Sequence, residues 1–263
     1  MSGEQGVHGE QGVSGERRAG SSSIEQPDYW WYRARAGLLE AALGDHLDEP
    51  GLLLDVGSAD GPSVGWLRAR DRRVTVDVDP RGLTPGEGVC ASALALPFPD
   101  GTFDAVGAFD VVEHCEPEGA ALAELHRVLR PGGRLLLSVP AYEWAWTDHD
   151  VRAGHHRRYT RPRLLAAVEA AGFEVDRCTY GFAGVFPMFA AERLLRRIKG
   201  RVKGRVRGRA DGAGEDQGLP QVSPRMDAVL TGLSRAESRL LRRRDLPFGS
   251  SVFLAARRPD GYR

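Results

Sequence analysis

The stretch LLLDVGSADG at residues 52–61 decides the fold. A short apolar run leads into Asp55, and two glycines, Gly57 and Gly61, follow it. Such a run is typical of a buried strand in a parallel sheet. Glycines directly after a strand let the backbone turn sharply and approach a ligand. The stretch therefore predicts a strand that ends at a ligand-binding turn, with a purely structural turn as the alternative.

An acidic residue further along favours the ligand-binding interpretation. Asp77 lies near the end of the second apolar run, RVTVDVD, and stands twenty residues after Gly57. An acid at this position can accept hydrogen bonds from both ribose hydroxyls of a nucleotide. The two features together predict a nucleoside-type ligand. They do not distinguish a dinucleotide from another adenosine cofactor.

The chain around these two runs alternates apolar runs with helical patterns. Further strands are predicted at FDAVGAFDVV, RLLLSVP, FEVDRCTYGF and SSVFLAARR, and the segment between RVTVDVD and the first of these is predicted to be a loop. Helices are predicted from Asp28, from about Ser63, and over residues 118–129, 161–171 and 224–243. This rhythm predicts a parallel sheet covered by helices on both faces.

Composition narrows the class of protein. The 263 residues are 41% hydrophobic, enough for one large α/β domain, and the 36 basic residues balance the 36 acidic ones, so no nucleic-acid partner is expected. Cys90, Cys115 and Cys178 lack a metal-type spacing, so we expect no metal and a reduced, cytoplasmic protein. No apolar run approaches the ~20 residues that span a bilayer, and no secretory signal is expected.

Two segments differ from the rest. Residues 1–24 contain the repeat GEQGVHGEQGVSGE and are predicted to be a disordered tail. Residues 25–263 are expected to form a single domain, with an insertion at 181–247 that contains a basic flexible linker at about 199–222.

Five motifs carry a resemblance to a known family. LLLDVGSADG, VTVDVDP, ALALPFPDGTFDAV, FDVVEHCEP and LRPGGRLLLSVP stand in an order and spacing that resemble class I S-adenosylmethionine-dependent methyltransferases, most of all the methyltransferase type 11 branch. The likeness covers about residues 28–180 and the closing strand. It implies an α/β, Rossmann-like fold: a seven-stranded, mostly parallel sheet with helices on both faces, an antiparallel last strand and a helical insertion before it. It also implies S-adenosyl-L-methionine as the cofactor and a methyltransferase domain for residues 25–263.

The resemblance also implies roles for individual residues. The strand LLLDV and the turn after it would surround the methionine part of the cofactor. The strand RVTVDVD would hold the ribose and adenine, and the strand FDAVGAFDVV would form a wall of the site. The residues implied to bind the cofactor are Asp55, Gly57, Ser58, Gly61, Asp77, Val78, Ser92, Ala93, Phe109, Asp110 and Arg33. The sequence departs from the family at Ala59, where a glycine is usual, and at Ser92, where an aspartate is common. Around Arg33, which would meet the cofactor carboxylate, the aromatics of YWWYRAR are equally compatible with ordinary core.

The methyl acceptor is expected to lie beyond the carboxyl end of the strand RLLLSVP. The segment HDVRAGHHRRYT at residues 149–160 ends at the predicted helix start, Thr160. A helix N-terminus and forked arginine donors can bind an anion, and a histidine can accept a proton. The candidate acceptor-site or catalytic residues are therefore His149, His155, Arg158 and Tyr159. The alternative is that the arginines pair with Asp148, Asp150 or Glu143 and merely pin the loop.

These patterns predict methyl transfer from S-adenosylmethionine to a small-molecule or lipid-linked acceptor. One form of this hypothesis is an acceptor that carries an anionic group. The alternatives are an NAD-dependent oxidoreductase and a non-catalytic membrane-surface module that retains the fold. The apolar-then-basic residues 181–209 are compatible with a lid over the acceptor or with peripheral contact to an anionic membrane. The sequence leaves the acceptor, the methylated atom and the oligomeric state undetermined.

Overall fold

A computed structural model describes residues 28–58, 61, 64–83, 88–195 and 222–261 of the chain. It contains a seven-stranded sheet in the order β3-β2-β1-β4-β5-β7-β6. The strands are β1 (Leu52–Val56), β2 (Arg72–Asp77), β3 (Gly88–Cys90), β4 (Phe103–Phe109), β5 (Leu129–Pro140), β6 (Glu174–Gly181) and β7 (Ser251–Arg257). Strands β1 to β5 pair in parallel, whereas β7 runs antiparallel to both β5 and β6. The expected fold class is confirmed.

Helices cover the sheet. They are α1 (Trp30–Leu43), α2 (Glu118–Val128), α3 (Asp148–Ala153), α4 (Arg161–Ala170), α5 (residues 186–195) and α6 (Pro224–Leu241). The core lies between these helices and strands whose side chains are buried on both faces, as Leu53, Leu54 and Val56 of β1 are. Helix α4 begins after Thr160, as predicted, and the chain turns into β6 at Gly172 with a φ of +94°.

Three local expectations are wrong. Helix α1 begins at Trp30 and not at Asp28, and its N-cap is Tyr29, without a side-chain hydrogen bond. Of the described residues after β1, Ser58, Gly61 and Val64 have 3-10 geometry and residues 65–66 form a turn, so no α-helix follows Ser63 in the described residues that come next. The segment predicted as a loop contains β3, which pairs with β2 at the edge of the described sheet and is too short to show a periodic pattern.

Two of the predicted segments lie wholly or largely outside the described residues. These are the tail at 1–24 and the linker at about 199–222, except for residue 222. Of the segment 181–209, the structure describes residues 181–195, which include α5. Among the helices that the structure describes, none is long and apolar enough to cross a membrane.

Candidate cofactor and acceptor sites

The carboxyl ends of β1, β2 and β4 meet at one edge of the sheet. Val56 of β1 pairs with Val76 of β2 and with Ala108 of β4, so the residues that follow all three lie side by side. The Gly57 N–H donates to the Val76 carbonyl oxygen at 2.7 Å, which places the turn after β1 against the end of β2. The strand order changes direction at β1, and ligands of open α/β sheets bind at such a point.

Two buried polar groups at this edge are unsatisfied. Asp55 is 1% exposed, and its Oδ2 atom has no hydrogen-bond partner among the residues described. Burial raises the pKa of Asp55 to about 7. The buried Ser58 hydroxyl also lacks a partner within the described part of the chain. Buried polar groups are normally paired, so these atoms fit the polar groups of a bound ligand such as the methionine part of S-adenosylmethionine.

The other residues implied for this half of the cofactor lie along the same edge. Asp77 ends β2, and its Oδ1 accepts a hydrogen bond from the Asp79 N–H at 2.7 Å, which orients the carboxylate. Val78 beside it is 66% exposed, as a residue that packs on a ligand ring would be in the free protein. A Cβ added at Gly61 would meet no described atom within 4 Å.

Gly57 itself must be glycine. Its φ is +75°, and a Cβ there would lie 2.4 Å from the Val111 side chain. At the far side of the edge, Ala93 is buried, and the Ser92 hydroxyl accepts from the Leu94 N–H at 3.2 Å. Ser92 thus orders its own loop, and its contact with a cofactor stays a prediction. Ala59, which departs from the family pattern, lies outside the described residues.

The structure gives Arg33 a protein partner, and its contact with the cofactor carboxylate stays a prediction. Its side chain is 44% exposed and pairs with Asp227 of α6 at 2.9 Å. Arg35, which the sequence did not single out, is 1% exposed and pairs with Asp110 at 2.9 Å. Residues two apart on a helix point about 200° away from each other, so only one of these arginines can face the sheet. The signal was available, because Arg35 shares its face with the apolar Leu38 and Leu39.

The end of β4 is held by a small polar network. Phe109 is buried and its ring lies 6.0 Å from that of Trp66. Asp110 adopts a φ of +57° and accepts a hydrogen bond from the Ser138 hydroxyl of β5 at 2.9 Å. Arg35 donates to the same hydroxyl at 3.1 Å. The network fixes the wall that the resemblance assigns to Phe109 and Asp110.

The charged segment after β5 is organised around Asp150, which has no exposed surface. Its Oδ1 contacts Arg158 Nε and His155 Nδ1, both at 2.8 Å. Its Oδ2 accepts from the Thr147 main chain and hydroxyl, which completes a capping box at the start of α3. Burial opposes ionisation of Asp150, but the bonds from His155 and Arg158 outweigh it and hold its pKa well below the usual range.

The contacts of Arg158 agree with the loop-pinning alternative, and the acceptor-site roles of Arg158 and Tyr159 stay predictions. Arg158 is buried and paired with Asp150. Tyr159 is fully buried and donates to Glu118, and burial, reinforced by that bond, raises its pKa. The neighbouring Arg157 pairs with Glu116. Arg157 and Arg158 thus already donate to carboxylates of the protein, which leaves fewer donors for an anionic ligand.

The two histidine candidates are placed differently. His149 is exposed on α3, and no catalytic partner is described for it. His155 is partly buried directly after the end of α3, with its ring against that of His114 at 4.6 Å between centroids. The sequence contained the signals for α3 itself, Thr147 and Asp150 at capping-box spacing and Gly154 at its end, but they were not interpreted as a helix.

An aromatic cluster covers the ends of β5, β6 and the start of β7. The Tyr142 ring stacks with Tyr180 at 5.4 Å and Trp144 at 5.7 Å, and contacts Phe186 of α5 at 5.5 Å. Phe186 in turn contacts Phe248 at 5.6 Å. Trp144 and Phe248 are partly exposed. Next to this cluster is an open groove of about 460 Å³, lined by Glu116, Pro117, Glu118, Gly119, Glu143, His156, Arg157 and Arg163.

Comparison with known proteins identifies the family. The family model described as a methyltransferase domain matches residues 54–137. A probable S-adenosylmethionine-dependent methyltransferase of Mycolicibacterium smegmatis is 37% identical over 173 residues, which are 58% of this chain and 62% of that protein. A ubiquinone/menaquinone biosynthesis C-methyltransferase of Rubrivivax gelatinosus is 30% identical over 183 residues, which are 56% of this chain and 70% of that protein. The chain spans less than two thirds of the first of these relatives.

A solved structure is similar in fold. The 1,6-didemethyltoxoflavin-N1-methyltransferase of Burkholderia thailandensis, with bound 1,6-didemethyltoxoflavin and S-adenosylhomocysteine, matches with a TM-score of 0.50 and 19% identity. The match covers 91% of this chain and 85% of that one. The motifs, the sheet order and the curated relatives agree, and the chain belongs to the class I S-adenosylmethionine-dependent methyltransferases of the type 11 branch.

Proposed function

We propose that the protein transfers a methyl group from S-adenosylmethionine to a small, largely apolar acceptor. The observation that carries the proposal is the unsatisfied Asp55 oxygen at the sheet edge it shares with Asp77, in a chain of this family. The cofactor supplies the sulfonium methyl group. The protein contributes alignment of the acceptor and exclusion of water, because the displacement is in line and the leaving group is good.

The part of the sheet edge that follows β5, where the acceptor is expected, favours an apolar molecule over an anionic one. Arg157 and Arg158, the donors on which an anionic group would depend, are already paired with carboxylates. The aromatic cluster around Tyr142 and Phe186 instead presents stacked rings at the same edge. A ring or hydrocarbon chain would bury favourably against them.

We infer that helix α5 acts as a lid over that acceptor. Its Phe186 contacts rings on both sides of the cluster, and the turn before it is anchored by Glu237 of α6, which accepts from the Ala183 and Gly184 N–H groups. These contacts support the lid interpretation of the described part of residues 181–209. Membrane contact through the remaining residues of that segment is the alternative.

Calorimetry with S-adenosylhomocysteine and with NAD tests the cofactor. We expect saturable binding of S-adenosylhomocysteine and none of NAD, and the reverse result would establish the oxidoreductase alternative. Incubation of the protein with methyl-labelled cofactor and fractionated cell extract tests the reaction. We expect label in an organic-soluble small-molecule fraction. Cofactor binding without transfer to any fraction would contradict a catalytic role.

A further inference from the structure

Three side chains with metal-binding atoms converge beside the end of β4. Glu113 and His114 lie on the 3-10 turn Val112–His114, and His155 follows the end of α3. One ligand atom from each lies within 4.8 Å of the other two. The His156 N–H donates to the Glu113 carbonyl oxygen at 2.8 Å, so the two segments are tied together at this point.

The Glu113 carboxyl group lacks a side-chain partner among the described residues. It is fully buried, and neither carboxylate oxygen has a hydrogen-bond partner in the described structure apart from its own main-chain N–H. The charged groups that face it are Asp110, Arg35 and Arg158, and both arginines are already paired, with Asp110 and Asp150. A buried carboxylate without a counter-charge is costly, and a bound cation would remove that cost.

The histidines are oriented as metal ligands usually are. His155 Nδ1 contacts Asp150 at 2.8 Å, which leaves Nε2 available. The His114 ring lies beside main-chain acceptors at Ala153 and Gly154, which orient it. A second-shell carboxylate or carbonyl that fixes the tautomer and direction of the ring is the common arrangement around metal-bound histidine.

We propose that Glu113, His114 and His155 bind a divalent first-row transition metal cation, with Zn²⁺ as the reference ion. Two imidazoles and one carboxylate match the ligand preferences of such ions. Three protein ligands leave a coordination position open for water or an acceptor oxygen. The proposal is independent of the proposed methyl transfer, because metal binding is measured without cofactor or acceptor. It replaces the expectation of no metal, which rested on cysteine spacing alone.

Calorimetric titration of Zn²⁺ into untagged, chelator-treated full-length protein tests the site, together with the absorption spectrum of the Co²⁺-loaded protein. We expect one ion per chain, a higher unfolding temperature with Zn²⁺, and visible Co²⁺ bands. Glu113→Gln and His155→Gln should each weaken binding by about 100-fold or more, beyond the usual effect of second-shell changes. His156→Gln, at the exposed neighbouring histidine, should bind like wild type.

Glu113→Gln also controls for folding, because it keeps the side-chain volume and removes a buried charge. Its circular dichroism spectrum and its metal-free unfolding temperature should be no worse than those of wild type. Absence of saturable Zn²⁺ and Co²⁺ binding by wild type would overturn the proposal. Equal affinity in wild type, Glu113→Gln and His155→Gln would overturn it as well, since the ion would then lie elsewhere.

Discussion

The carboxyl edge of the sheet has two halves, one at the ends of β1 and β2 and one after β5. Each contains a buried aspartate, and the two aspartates differ in how many hydrogen-bond partners they have. At the ends of β1 and β2, the Asp55 carboxylate is buried with an oxygen that has no described partner. After β5, the Asp150 carboxylate is equally buried but is saturated by Thr147, His155 and Arg158. The second half has by far the denser cluster of charges in the sequence. An unsatisfied buried group therefore marks a candidate binding site better than charge density does.

The difference has a simple physical origin. Arginine and aspartate side chains that can reach one another form ion pairs inside the protein, because an unpaired buried charge is costly. Such pairs order the loop but leave no donors for a ligand. At the end of β1, no basic side chain is described within hydrogen-bond reach of Asp55. A bound cofactor would supply the hydrogen-bond partner that the Asp55 oxygen lacks.

Removal of the Asp150 carboxylate should have the largest effect. Asp150→Ala leaves Arg158 buried without its partner and removes the bond to His155, so we expect the free energy of unfolding to fall by about 3–5 kcal/mol. Urea denaturation measures the change. Asp148→Ala, at an exposed acid in the same turn, is the control and should cost less than about 1 kcal/mol. Equal effects would mean that Arg158 is not pinned, and the acceptor-site interpretation would return.

Removal of the Asp77 carboxylate should affect binding and leave stability nearly unchanged. Asp77→Ala should weaken S-adenosylhomocysteine binding by about 10- to 100-fold, since bonds to a charged acceptor contribute about 1.5–3 kcal/mol. Calorimetry measures the affinity. Asp79→Ala keeps the main-chain N–H that orients Asp77 and should bind nearly as wild type does. Unchanged affinity in a folded Asp77→Ala protein would remove the cofactor assignment for this edge.

The same two halves should respond to pH in opposite directions. The pKa of Asp55 is raised by burial from 3.8 to about 7, so the folded protein holds this proton more tightly and loses stability as pH rises between these values. The pKa of Asp150 is lowered, so its contribution is present above 3.8 and is lost as pH falls.

Cofactor-free Asp55→Asn should therefore gain about 4 kcal/mol over wild type at pH 8 and almost nothing at pH 4. Unfolding temperatures of the two proteins across this range measure the difference. Asp45→Asn, at an exposed aspartate after α1, is a control that should show no such trend. A constant difference between Asp55→Asn and wild type at every pH would show that Asp55 is not titrating in this range.

The smallest expected effect tests the lid. Phe186→Ala removes the ring that joins α5 to the aromatic cluster, and we expect the acceptor KM to rise by about 3- to 10-fold, because an aromatic contact contributes about 0.5–1.5 kcal/mol. The affinity for S-adenosylhomocysteine should not change. Steady-state kinetics with the acceptor found in the extract fractions measures the KM. Met188→Ala, at an exposed residue of the same helix, should leave it unchanged. A loss of cofactor affinity in Phe186→Ala would place α5 over the other half of the edge.

The sequence by itself determined six of the seven strands and the carboxyl edge of the sheet, but not the short β3. Apolar runs such as LLLDV specify buried parallel strands because their side chains need cover on both faces. Gly57 and Asp77 mark the edge because a turn with positive φ and an acid at a strand end are local properties of the chain. The family motifs extended this to the antiparallel β7, which the structure confirms.

Only the tertiary structure decided which side chains meet. In the structure, Arg35 and not Arg33 pairs with Asp110 at the end of β4, and Arg158 pairs with Asp150 of its own segment. His155 lies beside Glu113, which belongs to a distant segment of the chain. Partner choice depends on distances of a few ångströms and on which groups lose their water. Neither quantity is encoded in residue spacing, because the loops that carry these side chains have no periodic pattern. The charged segment could be located from the sequence, but its role depended on the partners that the fold supplied.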